Sequence, residues 1–233
     1  MRAKLIGSFI IIFGCFSTSS TAQFTDSINA YMKKSPWLTG GFGSVQSFFY
    51  GFKAPIGYVS LGLSYAGRVR MGIGYCKLKV PEFDGDLNED QVPFYENRYF
   101  ANSSGITDTV NSKLHFEYGM IYLEYVFYKT KHWAFSVPLR FGFGRTAYKY
   151  SYLGTDAFAD AKGMFIYHPS VSFDYAIFRW LGLNTQIGYK FTVIDLKNVR
   201  ENFNSPVFNI GLFLYYSEIY KMMFPNTKLA KKL

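Results

Sequence analysis

Three groups of residues in this 233-residue chain have types and spacings that suit chemistry. His168-Pro169-Ser170 sets an imidazole two residues before a hydroxyl. On a strand, positions i and i+2 share a face, so His168 could serve as base to a Ser170 nucleophile in acyl transfer. Asp174, of the same parity, is the one acid at a suitable distance downstream. Asp84-Gly85-Asp86-Leu87-Asn88-Glu89-Asp90 spaces oxygen ligands at alternate positions, as a calcium loop does. It departs from the EF-hand pattern, with Glu89 where Gly is required and Tyr95 where the bidentate Glu belongs. An acidic solvated loop is therefore expected over 84–90, with weak divalent-cation binding as the sharper alternative. The third group is Arg70, Glu117, Arg140, Asp174 and Lys190, whose parity turns all five toward one interior, where they would form an ion-pair network.

The elements that must position these residues follow from composition and period. Hydrophobic residues make up 49% of the chain and aromatics 21%, while only 18% are charged. Disorder is excluded, because it needs few aromatics and high charge. A disulfide scaffold is excluded too, since there are two Cys and Cys15 lies in an export segment. So many rings at neutral mean hydropathy call for a second apolar surface besides a core. From Trp133 to Arg145 the odd positions carry Trp133, Phe135, Val137, Leu139, Phe141 and Phe143, and the even ones are small or polar. This period of two recurs eight times, over about 38–50, 54–66, 68–80, 112–128, 132–146, 163–176, 180–193 and 205–217. Most segments exceed the roughly 9–11 residues that a tilted strand needs to cross a bilayer. The opposite face carries charges that a dry soluble core would exclude, so the large residues face lipid and the interior is polar.

Two strands are less regular. Phe42 and Phe48 share parity with Ser44 and Gln46, and Leu114, Phe116 and Tyr118 share parity with Glu124. A β-bulge near Gly119 is expected to flip the register and bring Glu117 and Glu124 to one face. The connections after the second, fourth and sixth strands are short, as inner-side turns should be. Those at 81–111, 147–162 and 194–204 are expected to be longer outward loops, with the connection near 51–53 a short exception. An interior this narrow is filled by side chains, which argues against an open pore. Trp37, Tyr65, Tyr128, Trp133, Tyr148 and Trp180 sit near strand ends, where interfacial girdles belong.

Met1 to Ala22 reads as an export signal, with Arg2 and Lys4 basic, Leu5 to Phe13 apolar, and Ser20-Thr21-Ala22 small before Gln23. Lipidation at Cys15 is the alternative, through the poor lipobox Ile12-Phe13-Gly14-Cys15. Residues 23–36 are then a periplasmic N-terminal segment, 37–217 the barrel and 218–233 a basic periplasmic tail. Segment 81–112 holds seven carboxylates against Arg98 alone, a net of −6. Loss of Arg2 and Lys4 takes the chain from +9 to +7, so the remainder carries +13. Export makes nucleic acid an improbable partner for that excess, and strand-end Lys and Arg against lipid headgroup or lipopolysaccharide phosphates explain it more simply.

With the signal, the eight alternating strands and the turn Asp174-Tyr175-Ala176-Ile177-Phe178-Arg179-Trp180-Leu181-Gly182, the chain resembles the small outer-membrane β-barrel proteins of Gram-negative cells, of the OmpX/OmpA-like and PorT-like kind. The resemblance spans about 37–217. It implies an all-β fold, an eight-stranded antiparallel transmembrane β-barrel in the outer membrane, and carries little chemistry; a monomer is expected, with no cofactor, metal or catalytic residues. It also implies a structural, surface-attachment or secretion-accessory role. Such a role would act through the acidic loop 81–111, or through the basic tail toward an inner-side partner. Some barrels of this size with a His-x-Ser element deacylate lipid A, which makes a His168/Ser170 esterase one alternative. Against it, both residues have lumen parity, and Val171 stands where Asn is expected. A narrow channel or transport accessory is the other alternative. The chain departs from the family by continuing past its last strand into Ser217 to Leu233.

Overall fold

The computed structural model describes residues 20–49, 52–80, 94–101, 107–152, 154–194 and 203–227. Helix α1 (Ser20–Met32) runs across the expected cleavage point after Ala22. Nine strands follow: β1 (Pro36–Phe49), β2 (Phe52–Tyr65), β3 (Val69–Leu78), β4 (Tyr95–Ala101), β5 (Thr107–Lys129), β6 (Trp133–Tyr152), β7 (Thr155–Ala176), β8 (Leu181–Ile194) and β9 (Ser205–Tyr215). A short helix, α2 (Tyr216–Met223), ends the described fold. Every pairing is antiparallel. The sheet order is β3-β2-β1-β9-β8-β7-β6-β5-β4, and a β3–β5 ladder closes eight of the strands into a ring. β4 stands outside that ring, paired to the first residues of β5.

The alternation seen in the sequence becomes the two faces of the wall. Ile73, Ile121, Val137, Phe143, Ile187 and Ile210 are exposed on the outside. Arg70, Glu124, His168, Asp174, Asn184 and Lys190 are buried in the lumen. Bulky and minimal residues alternate across the interior, as a narrow barrel requires. Tyr122 lies against Gly62 and Gly72, Tyr58 against Gly43 and Gly211, and Tyr118 against Gly142, so a Cβ at these glycines would collide with the tyrosine. The tightest inner-side turn, Ala66-Gly67-Arg68, takes positive φ at its first two residues (53° and 65°) and is closed by Arg68 N–H donating to the Tyr65 carbonyl at 2.9 Å.

Four expectations need correction. Segment 147–162 is not a loop: Tyr148 to Tyr152 pair with Thr155 to Ala159, and β6 and β7 run to 20 and 22 residues. Its alternation of Tyr148, Tyr150 and Tyr152 with polar neighbours is a strand signal outside lipid. The 81–111 segment is likewise part strand, since β4 and the start of β5 form a hairpin there. No bulge occurs at Gly119, where β5 pairs in continuous register with both β3 and β6; the shift in β5 falls between Val126 and Tyr128. Glu117 therefore faces outward and leaves the lumen network to Glu124. Tyr148 does not join a girdle but packs against the buried lumen cluster.

Candidate functional site

The lower lumen is a polar floor contributed by β3, β5, β6, β7, β8 and β9. Arg70 Nη1 donates to Glu124 Oε1 at 3.0 Å and to Asp174 Oδ2 at 2.5 Å. Ser136 Oγ donates to Glu124 Oε1 at 2.6 Å. Asn184 Nδ2 donates to Ser172 Oγ at 2.7 Å, and Gln186 Nε2 donates to Asn184 Oδ1 at 2.8 Å. The Arg70 guanidinium also lies over the Phe213 ring, 4.6 Å from its centroid. Charges this deep persist only when paired and hydrogen-bonded, and these are. Of the five residues expected to form a network, the structure brings together Arg70 and Asp174. Arg140 lies over Tyr58 at 5.7 Å, and Lys190 donates to Ser47 Oγ at 2.9 Å with its ammonium 5.1 Å from the Phe116 centroid.

The upper lumen is a different material. Val45, Ile56, Leu78, Leu114, Phe116 and Ile166 belong to one buried apolar cluster there. Phe116 stacks on Phe203 with centroids 5.0 Å apart. Between floor and cluster lies a cavity of about 20 Å³ lined by Tyr58, Tyr122, Glu124, Arg140 and Gln186, room for about one water. Described side chains thus enter the lumen from both ends, the ionic floor below and the apolar cluster above.

His168 and Ser170 are both buried in this lumen, at 3% and 6% exposure. Ser170 Oγ donates to the Pro138 carbonyl at 3.4 Å, while His168 Nε2 has no hydrogen-bond partner. A base-and-nucleophile pair facing lipid is not assembled.

Outside, the wall changes character with height. The lower rim carries exposed Tyr128, Trp133, Tyr175 and Phe178, with Trp133 and Tyr175 4.7 Å apart, as an aromatic girdle does. Above Gly119 the outward positions of β5 become Glu117, His115 and Lys113. Glu117 accepts from Tyr75 OH, from Arg145 Nε at 2.9 Å and from His115 Nε2 at 3.1 Å. Phe158 of β7 packs 5.6 Å from both His115 and Arg145. Near the β6–β7 tip, Lys149 Nζ lies 2.6 Å from Asp156 Oδ2 and holds that exposed carboxyl below its ordinary range. β4, β5, β6 and β7 thereby rise beyond the ring as an outward sheet, and Tyr99 on β4 is 63% exposed. The acidic run 84–90 lies outside the described residues, as do Cys15 and the basic residues 228–233.

At the inner mouth, α2 folds against β1 instead of extending freely. Tyr216 covers Gly40, and Lys221 lies 4.9 Å from the Trp37 ring while donating to Glu218 at 2.9 Å. Sequence reading missed this docking, and it missed the outward lysines of β3 and β5. The latter were legible, since Lys77 and Lys79 alternate with Leu78 and Val80, and Lys113 alternates with Leu114.

A closed antiparallel ring with lipid-suited residues outside, buried charge inside and no helix long and apolar enough to cross a membrane among the described residues defines a class. The chain is an eight-stranded transmembrane β-barrel of the outer membrane. No family description matches it, and no curated protein matches it. Among solved structures it is similar to Neisserial surface protein A, at 12% identity and TM-score 0.44 over 77% of this chain and 96% of that one. It is also similar to Ail, the attachment invasion locus protein of Yersinia pestis, at 10% identity and TM-score 0.41, with the same coverage. The N-terminal barrel domain of Pseudomonas aeruginosa OprF gives 8% identity and TM-score 0.41 over 77% and 98%. These superpositions are loose, and the assignment rests on the barrel's own closure and polarity.

Proposed function

We propose that this barrel is a surface interaction platform whose work is done outside the lumen, by the outward sheet β4–β7 together with loop 81–111. The observation that carries this reading is the asymmetry of the wall. β5, β6 and β7 run 23, 20 and 22 residues, against 14 for β1, β2 and β8. Long strands that continue past a closed barrel serve no crossing and hold a surface away from the membrane. The outer edge of β4 pairs with no described strand, and an unpaired edge can accept an extended segment from a partner. The net of −6 on 81–112 favours a partner with a basic face. The buried ionic floor and the apolar cluster above it support the reading of a lumen plugged by side chains, in a barrel that neither conducts nor catalyses.

Deletion of 84–108 tests the reading. The shortened protein is expected to keep its heat-modifiable migration and its place in the outer-membrane fraction. It should lose the proteins that crosslink to the intact chain on whole cells. An unchanged crosslinked set would reject the platform. In planar bilayers the full chain is expected to stay silent, and stepwise conductance would reject the plugged lumen.

A further inference from the structure

On the outer wall, where the apolar belt meets the charged upper zone, β1, β2, β3, β5 and β6 enclose a groove of about 970 Å³. Its lower part is apolar and shallow-walled. Phe42, Val59 and Tyr75 border it, and small residues, Ser44 and Gly57, form its floor. Lys79 lays its side chain across Gly57, so the cationic end borders an apolar floor. Lys77, Lys113 and Lys149 line the upper part. Lys149 is paired with Asp156, but Lys77, Lys79 and Lys113 form no ion pair among the described residues. Glu117, a neighbouring carboxylate on β5, is already held by Arg145, Tyr75 and His115.

We infer that this groove is a binding site for a phosphorylated, multiply acylated lipid of the outer leaflet, with an acyl chain on the Ser44–Gly57 floor and phosphate on Lys77, Lys79 and Lys113. The charge order is what selects this occupant. Three unpaired ammonium groups stand directly above an apolar trough at the level where a bilayer changes from hydrocarbon to headgroup. A soluble anion would not need the trough, and a neutral lipid would not need the lysines. A lysine near an anionic lipid surface strengthens association roughly fivefold, so the three together contribute about a hundredfold.

The test uses the full-length protein in zwitterionic nanodiscs, titrated with bisphosphorylated lipid A. Lys77→Gln, Lys79→Gln and Lys113→Gln combined are expected to weaken binding about a hundredfold while heat-modifiable migration is retained. Lys129→Gln with Lys131→Gln, at the opposite rim, should leave it within twofold. Ser44→Trp fills the floor without touching a lysine and should also weaken it. Equal binding of dephosphorylated lipid A, or of phosphatidylglycerol, would overturn the inference. So would an equal loss from the opposite-rim variant. Displacement by inorganic pyrophosphate with no effect of Ser44→Trp would identify a site for a free phosphate instead and overturn it as well.

Discussion

Below the level of Gly119 the barrel wall is apolar outside and ionic inside, whereas above it the order reverses. There Leu114, Phe116 and Tyr118 turn inward to a buried cluster, and Lys113, His115 and Glu117 turn outward. The parity of β5 is unbroken across the change, so the chain does not twist to achieve it. The difference reflects solvent. Where lipid surrounds the wall, the exterior supplies no hydrogen bonds and must be apolar, so polar side chains go to the lumen. Where water surrounds it, β5 takes the inside-out order of a soluble domain, and its inward side chains join an apolar cluster that packs beside the Lys190 ammonium. The reversal therefore marks the outer boundary of the membrane.

The largest break in this comparison comes from the floor. Arg70→Met leaves Glu124 and Asp174 buried without their cation and should cost about 3–5 kcal/mol, measured as the denaturant midpoint of the folded band. Replacing both acids with Leu as well should recover much of that loss. A loss under about 1 kcal/mol for Arg70→Met would mean the floor is wet and open. Phe116→Ala probes the upper half, where a cavity in a packed core should cost about 3 kcal/mol in the same assay. A near-neutral result would show the upper lumen to be loosely filled. The smallest effects, and the sharpest contrast, come from one charge placed at two heights. Ile73→Arg enters the lipid belt and should cost about 2–3 kcal/mol, while Thr109→Arg, outward on the upper part of β5, should change stability by no more than about 0.5 kcal/mol. Equal costs at the two positions would remove the boundary from where the reversal puts it.

Much of this was legible in the sequence. Eight of the nine strands, the short inner turns near 66–68, 129–132 and 176–179, and the inward parity of Arg70, His168, Asp174 and Lys190 follow from a period of two. The conflict in β5 was legible as well, with Leu114, Phe116 and Tyr118 sharing parity with Glu124. Read under one polarity for the whole barrel, it demanded a bulge, and Glu117 was placed in the lumen. Two solvents along one strand resolve it without a bulge. The long β6–β7 hairpin was read as loop for the same reason, because its outward positions, Lys149 among them, carry charge instead of lipid-facing rings.

By itself, the sequence determined how the chain crosses the membrane: strand number, direction and the alternation of faces, all of which depend on neighbours one or two residues away. Only the tertiary structure decided which groups meet. Arg70 finds Glu124 and Asp174 at separations of 54 and 104 residues, and the groove lysines come from β3, β5 and β6. Those encounters are set by the register and closure of the ring, in which a shift of one residue exchanges inside for outside. No local pattern encodes that registration, because it is fixed by the packing of all eight strands at once.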